Sequence, residues 1–323
     1  MPMAHHYTLT IDQQLGTHIS ITGSYVGTLG RHLLRFTSPN LGPSLTIVPT
    51  SFGVFQEQFP VPEILGRVRS PLRPVTGVGA INRFETTASS RYDALQLQLR
   101  ARHDALQYQF SYTLSKASDD VSEVFDLAGA PALPQNSITF AGERGPANFD
   151  ARHRLTYNFI YNLSGFKQQR ALDLLLHGLQ LSGTAELQSG QPFTVNSIFD
   201  VNLDGNLTDR LNTTDGIVET GDRSQPLRLA VDPTTLLAPV GQDGKVGRNT
   251  FRAGGIMQID LSVNKRLPLR ASQTLTLRAD IFNVTNRTNF GVPIRLLEAP
   301  GFGKATSSIT PGRRVQLALK YSF

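Results

Sequence analysis

Polar and apolar residues alternate one by one through much of this 323-residue chain. A period of two places successive side chains on opposite faces of an extended strand. The last segment shows it plainly. Val315, Leu317, Leu319, Tyr321 and Phe323 fall on one face, and Gln316, Ala318, Lys320 and Ser322 on the other. Upstream, Leu275, Leu277, Ala279 and Ile281 form an equivalent row, as do Met257, Ile259, Leu261 and Val263. Further rows are Leu179 to Leu187, Leu155 to Leu163, Leu106 to Leu114, and Leu95, Leu97 and Leu99. Near the start, Ile19, Ile21, Gly23 and Tyr25 follow Tyr7, Leu9 and Ile11. The pattern predicts about nine antiparallel strands.

A soluble sandwich would alternate in the same way, so the connections decide. They run short around Gln14–Gly16, long from Thr28 to Ser89, and short around Arg102–Asp104. Then Ala117–Ala151 is long, Ser164–Leu176 intermediate, Asp200–Ala253 long, Arg266–Arg270 short and Thr285–Pro311 long. Outer-membrane barrels join strands by short periplasmic turns and longer extracellular loops. A compact soluble domain seldom carries such long loops. The expected fold is therefore all-β, an antiparallel transmembrane β-barrel segment with long extracellular loops. The polar rows rich in Gln, Ser, Thr, Asn, Arg and Asp would line a wet interior. Tyr108, Tyr112, Tyr157, Tyr161 and Tyr321 lie near strand ends, where aromatic girdles sit; the lack of Trp departs from that pattern.

Composition narrows the classes. A mean hydropathy of −0.17 suits a barrel, where only alternate residues meet lipid. No run of about 18 apolar residues occurs, so a helical membrane protein is excluded. The most apolar stretch, Ala171 to Leu181, is broken by Asp173, His177 and Gln180. Cysteine is absent, which removes disulfides and thiolate metal sites. The net charge of +6 comes from scattered Lys and Arg without a basic helix or aromatic-basic module, so no nucleic-acid partner is expected. The segment Met1-Pro2-Met3-Ala4-His5-His6 has no apolar core or cleavage site of a signal peptide. An outer-membrane destination then implies that this chain starts inside a longer protein.

Several segments in order resemble a known family. They are GSYVGTLGRHLL (Gly23–Leu34), SRYDALQLQLRAR (Ser90–Arg102), FSYTLSKASDD (Phe110–Asp120) and NFDARHRLTYNFIYNL (Asn148–Leu163). They continue as QSGQPFTV (Gln188–Val195), DVNLDGNLTDR (Asp200–Arg210), LTLRADIFNVTNRTNFG (Leu275–Gly291) and PGRRVQLALKYSF (Pro311–Phe323). In this order and spacing the chain resembles the C-terminal part of a TonB-dependent receptor of the Oar-like type. The resemblance implies that residues 1–323 form part of a larger barrel of about 22 strands, with the plug and N-terminal domain absent. It also implies residence in the Gram-negative outer membrane and uptake of a large or scarce ligand. The implied partners are outer-membrane lipid, the barrel-assembly machinery, an extracellular ligand and the TonB system acting through the missing N-terminal half. A non-energised structural or adhesive barrel is the alternative.

Candidate chemistry is sparse. Leu319, Tyr321 and the terminal Phe323 share a face and resemble the signal read by the assembly machinery; an ordinary last strand is the plainer reading. Asp200, Asn202, Asp204 and Asn206 present oxygens at alternate positions with Gly205 sixth, as in an EF-hand loop. Position twelve is Leu211 rather than a bidentate Glu, and Asp209 could serve only in a different geometry. Calcium is thus weighed against a loop rich in Asx turns. Arg154, Glu186, Asp260, Arg278, Asp280 and Lys320 fall on the inward rows, as a substrate path or as a ladder of paired charges between strands. No catalytic set emerges: His103-Asp104 lacks a placed nucleophile, and His5, His6 and His153 lack partners at metal spacing. No enzyme activity is expected.

Overall fold

The structure is a computed structural model that describes residues 1–40, 47–51, 54–57, 74–75, 78, 81–123, 133–140, 142–163, 176–270 and 272–323. Nine long strands make one antiparallel meander. They are β1 (Met3–Leu15), β2 (Ile19–Thr37), β3 (Arg83–His103), β4 (Leu106–Asp119), β5 (His153–Leu163), β6 (Leu179–Gln188), β7 (Ile256–Pro268), β8 (Thr274–Phe282) and β9 (Arg314–Ser322). Each pairs with its neighbours in chain order, and the short Gly145–Pro146 segment adds to the end of β4. β1 and β9 form the two edges and do not pair with each other, so the sheet stays open. Among the described residues no helix is long and apolar enough to cross a membrane, which says nothing of crossing by strands.

The register joins the apolar rows into one face. Tyr25 stands opposite Leu95, Leu95 opposite Leu114, and Leu106 opposite Tyr161. Tyr161 then faces Leu181, Gly183 faces Leu261, Leu261 faces Ile281, and Ile281 faces Val315. The other face runs Thr22, Gln98, Ser111, Thr156, Glu186 and Gln258 from strand to strand. A one-residue slip anywhere would send a whole apolar row into the polar face, so the alternation itself holds the register. Rings on the apolar face pack together: Tyr108 on Tyr157 at 6.4 Å and Tyr157 on Phe159 at 5.8 Å between centroids.

The short connections have local causes. Gly16, with φ of 66°, turns β1 into β2, and Asp104, with φ of 38°, turns β3 into β4. Positive φ is open to glycine and tolerated by Asp, whereas a β-branched residue would be strained there. The long connections all lie at the opposite end from these turns.

Two expectations need adjusting. The long link expected from Thr28 to Ser89 is shorter in the structure, because β2 continues to Thr37 and β3 begins at Arg83. Past Gly30 the ladder shifts register and resumes as Arg35 opposite Glu85, Phe36 opposite Phe84 and Thr37 opposite Arg83. Backbone pairing outlasts the apolar band there, because the loops above cover the strand ends. The link expected at Asp200–Ala253 begins earlier, where β6 stops at Gln188. The intermediate link at Ser164–Leu176 lies outside the described residues, apart from its last position.

Candidate functional site

The described parts of the long connections form a layer, and the connections between β6 and β7 and between β8 and β9 build its core. Phe193, Val195, Leu211, Leu227, Leu236, Phe251, Ala253, Leu297 and Phe302 pack together, all buried. A smaller cluster of Phe199, Val201 and Ala238 adjoins through Leu237. Short ladders brace it: Pro192–Phe193 pairs with Phe251–Arg252, and Ile217–Glu219 pairs with Leu227–Leu229. Gly303 has a φ of 75°, and a Cβ there would stand 2.0 Å from the Leu227 carbonyl oxygen. Only glycine lets these two segments approach so closely.

Charged pairs lock this layer to the sheet. Arg248 reaches Asp119 at the end of β4, and its second contact there is the Asp119 carbonyl at 2.8 Å. Arg252 pairs with Asp150 at 2.5 Å. Arg210 donates to Glu143 at 3.0 Å, with both side chains almost fully enclosed. Arg35, near the end of β2, stacks over the Phe140 ring at 4.1 Å and stands 3.8 Å from Asp120. A buried guanidinium needs such partners, since an uncompensated charge away from water is expensive. None of these pairs was singled out in the sequence, because their members lie far apart in the chain. The signal that could have found them is a loop too apolar for water: residues 189–255 hold Phe193, Val195, Phe199, Leu211, Leu227, Leu236 and Phe251.

Within the layer, residues 200–209 form a tight loop. The Asp200 carboxylate accepts from the Asp204 and Gly205 amides, both at 3.0 Å. Asp209 accepts from the Val201 and Asn202 amides, both at 3.2 Å. Asp204 accepts from the Asn206 amide at 2.8 Å and from its Nδ2 at 2.9 Å. Asn202 Nδ2 donates to Asp243 at 2.8 Å and to the Gln135 carbonyl at 3.0 Å. Burial first, then the charges of Asp200 and Asp243, pushes Asp204 up to about 7 against the pull of its hydrogen bonds from Asn206. Burial and the charges of Asp200 and Asp204 push Asp209 up to about 8. The structure thus brings together all five residues weighed for calcium. Among the described residues, no group of three or more His, Asp or Glu side chains is placed to hold a metal ion by itself.

Four of the six inward charges form two ion pairs. Arg154 meets Glu186 at 2.8 Å across β5 and β6. Arg278 meets Asp280 at 2.9 Å within β8. Asp260 instead accepts from the Asn283 amide at 2.7 Å, fixing the exit of β8. Lys320 on β9 stands opposite Thr276 of β8. At the edge, Leu319, Tyr321 and Phe323 are exposed, and the Tyr321 and Phe323 rings stack at 5.8 Å. His103 and Asp104 approach to 3.4 Å in an exposed turn. A cleft at the turn end of the sheet is lined by Gln14, His18, Arg100, Arg102, Gln107 and Asn158, far from the loop layer.

Comparison with known proteins returns one family model, described as an outer membrane beta barrel domain, over residues 1–316. Among solved structures the chain is similar to the outer membrane transporter YddB from Escherichia coli. That match has 10% identity and a TM-score of 0.48, and covers 98% of this chain and 32% of YddB. It is also similar to FpvA of P. aeruginosa bound to heterologous pyoverdine, at 11% identity and a TM-score of 0.41, over 98% of this chain and 26% of FpvA. The chain therefore spans no more than a third of either protein. No curated protein matches the sequence.

Proposed function

Because the chain belongs to the outer membrane beta barrel domain family and so resides in the outer membrane, we propose that it forms barrel wall and extracellular recognition layer of a TonB-dependent receptor of the Oar-like type. In this reading residues 1–323 are a C-terminal portion of the receptor barrel, and an N-terminal half supplies the plug that TonB moves. The observation that carries it is the loop layer. The long connections leave from one end of a sheet with a polar inner face, and there those between β6 and β7 and between β8 and β9 share a packed core. Loops built on a rigid scaffold are where binding surfaces reside. The ion pairs Arg154–Glu186 and Arg278–Asp280 serve as structural rungs of the lumen wall. No catalytic role is proposed.

The partners that follow are lipid along the apolar face, the assembly machinery at Leu319, Tyr321 and Phe323, and a large or scarce extracellular ligand. An exposed last strand offers its unpaired backbone for strand addition, which suits capture during assembly. The test is expression with a signal peptide, membrane fractionation and electrophoresis with and without boiling. Outer-membrane material that shifts on boiling, with the 189–255 loop cut by protease added to whole cells, is expected. Freely soluble, non-shifting protein would refute the proposal. An adhesive barrel differs in one respect: its gene would encode no plug upstream in frame.

A further inference from the structure

Two carboxylates of the loop 200–209, Asp204 and Asp209, are enclosed in the layer. Among the described residues, neither Asp204 nor Asp209 forms an ion pair with Lys or Arg; the neighbouring Arg210 is committed to Glu143. Asp200 and Asp209 are buried to 0% and 1% exposure. Buried carboxylates so close to one another are unfavourable unless a cation or a proton compensates them.

A second observation concerns an uncharged group. Asn206 is 1% exposed, and its Oδ1 is enclosed without any hydrogen-bond donor. Its backbone amide and Nδ2 both bind the Asp204 carboxylate, so the carboxamide stands against the acidic cluster. The Nδ2 arm is held by two acceptors, Asp204 Oδ2 and the Pro134 carbonyl, and by the Ser137 hydroxyl, which favours the orientation that leaves Oδ1 without a donor. A buried oxygen lacking a donor, in a loop whose Asp204 and Asp209 form no ion pair among the described residues, is what a bound hard cation satisfies.

We propose that Asp200, Asn202, Asp204, Asn206 and Asp209 bind one Ca²⁺, which ties the extracellular loops together. Calcium takes about six to eight oxygens and accepts amide and backbone carbonyls beside carboxylates. That mixed shell explains why no three acidic side chains suffice alone. Magnesium demands a near-ideal octahedron and keeps several waters, and so suits a buried, amide-rich protein shell poorly. The ion's effect would spread beyond the loop. Asn202 holds Gln135 and Asp243, Asn136 also holds Asp243 at 3.0 Å, and Asn206 Nδ2 reaches Ser137 at 3.2 Å. Three separate stretches of the layer thus meet at one cation. The site stands independently of any transport role.

The experiment is calorimetric titration of CaCl₂ and MgCl₂ into the full chain, purified in detergent and stripped with chelator. Protease resistance of the loops is followed in parallel. One Ca²⁺ per chain, at least about tenfold tighter than Mg²⁺, is expected, together with slower cleavage of the loop layer. Asp209→Asn should weaken calcium about tenfold or more, since affinity follows the charge of the ligand set. Asn206→Ala removes the orphan oxygen without changing charge. It should also weaken calcium, and it decides the matter if Asp209→Asn disturbs the layer. Absence of calcium binding to the native chain, or unchanged binding in Asn206→Ala and Asp209→Asn, would overturn the site.

Discussion

The Arg210–Glu143 pair joins two connections of the loop layer, the one after β6 and the one after β4, and removing either partner should loosen that joint measurably. Their side chains are 4% and 6% exposed and meet at 3.0 Å. At an effective dielectric of about 20, two unit charges at that separation attract by roughly 5.5 kcal/mol. An exposed pair would contribute only about 0.2–1 kcal/mol, because water screens it. Here Glu143→Leu strands a guanidinium whose Nε already lacks a partner, and the expected loss is about 3–5 kcal/mol. The double variant Glu143→Leu, Arg210→Met removes both charges and should recover most of that loss. The assay is the urea midpoint for protease cleavage within residues 189–255, measured for native, single and double variants. Strictly additive effects, or a single-variant loss below about 1 kcal/mol, would refute the idea that this pair is a buried lock.

Two further outcomes follow from the same layer. Leu236→Ala removes one of the largest fully buried side chains and should cost about 2–5 kcal/mol in the same cleavage assay, while the strands keep their circular dichroism. Glu298 is held above the ordinary carboxylate range by burial, although Ser197 Oγ and the Ile198 amide donate to it at 2.8 and 3.0 Å. A raised folded value means that the folded layer holds this proton more tightly than the unfolded chain does. Its contribution is therefore full below the unfolded value of about 4.3 and is lost as pH rises through the folded value. Glu298→Gln should flatten the fall of the cleavage midpoint as pH rises above the ordinary carboxylate range, and an unaltered slope would contradict the assignment.

The strands were legible because the membrane and the lumen impose a period of two on every one of them. Leu106 to Leu114 and Leu155 to Leu163 were read from alternation alone, and their register follows from it. The short turns were equally legible, since Gly16 and the two residues after His103 leave little choice of path. The loop layer was not. Its core residues, such as Leu211 and Leu236, recur with no period, because the backbone among them is irregular. Arg248 meets Asp119 across 129 positions, and no local pattern announces a contact of that kind. The upper halves of β2 and β3 were missed for a related reason. Beyond the apolar band, Arg35 and Thr37 are buried by loops rather than by lipid, so the polar-apolar code no longer applies. The loop at Asp200 was visible as a spacing of oxygens, whereas the orphan Asn206 oxygen could emerge only from coordinates.

The strand order carries a consequence of parity. Direction reverses at each of the eight pairings from β1 to β9, so the first and last strands point the same way. Bending the sheet round until its edges met would create a parallel seam. A second copy standing upright beside the first would fare no better, for it presents the same polarity at both edges. Antiparallel closure of a bacterial barrel needs an even total. Any complement that closed this sheet antiparallel would therefore contain an odd number of strands, beginning and ending with the opposite polarity. Whatever completes the wall has a handedness of direction already dictated by these nine.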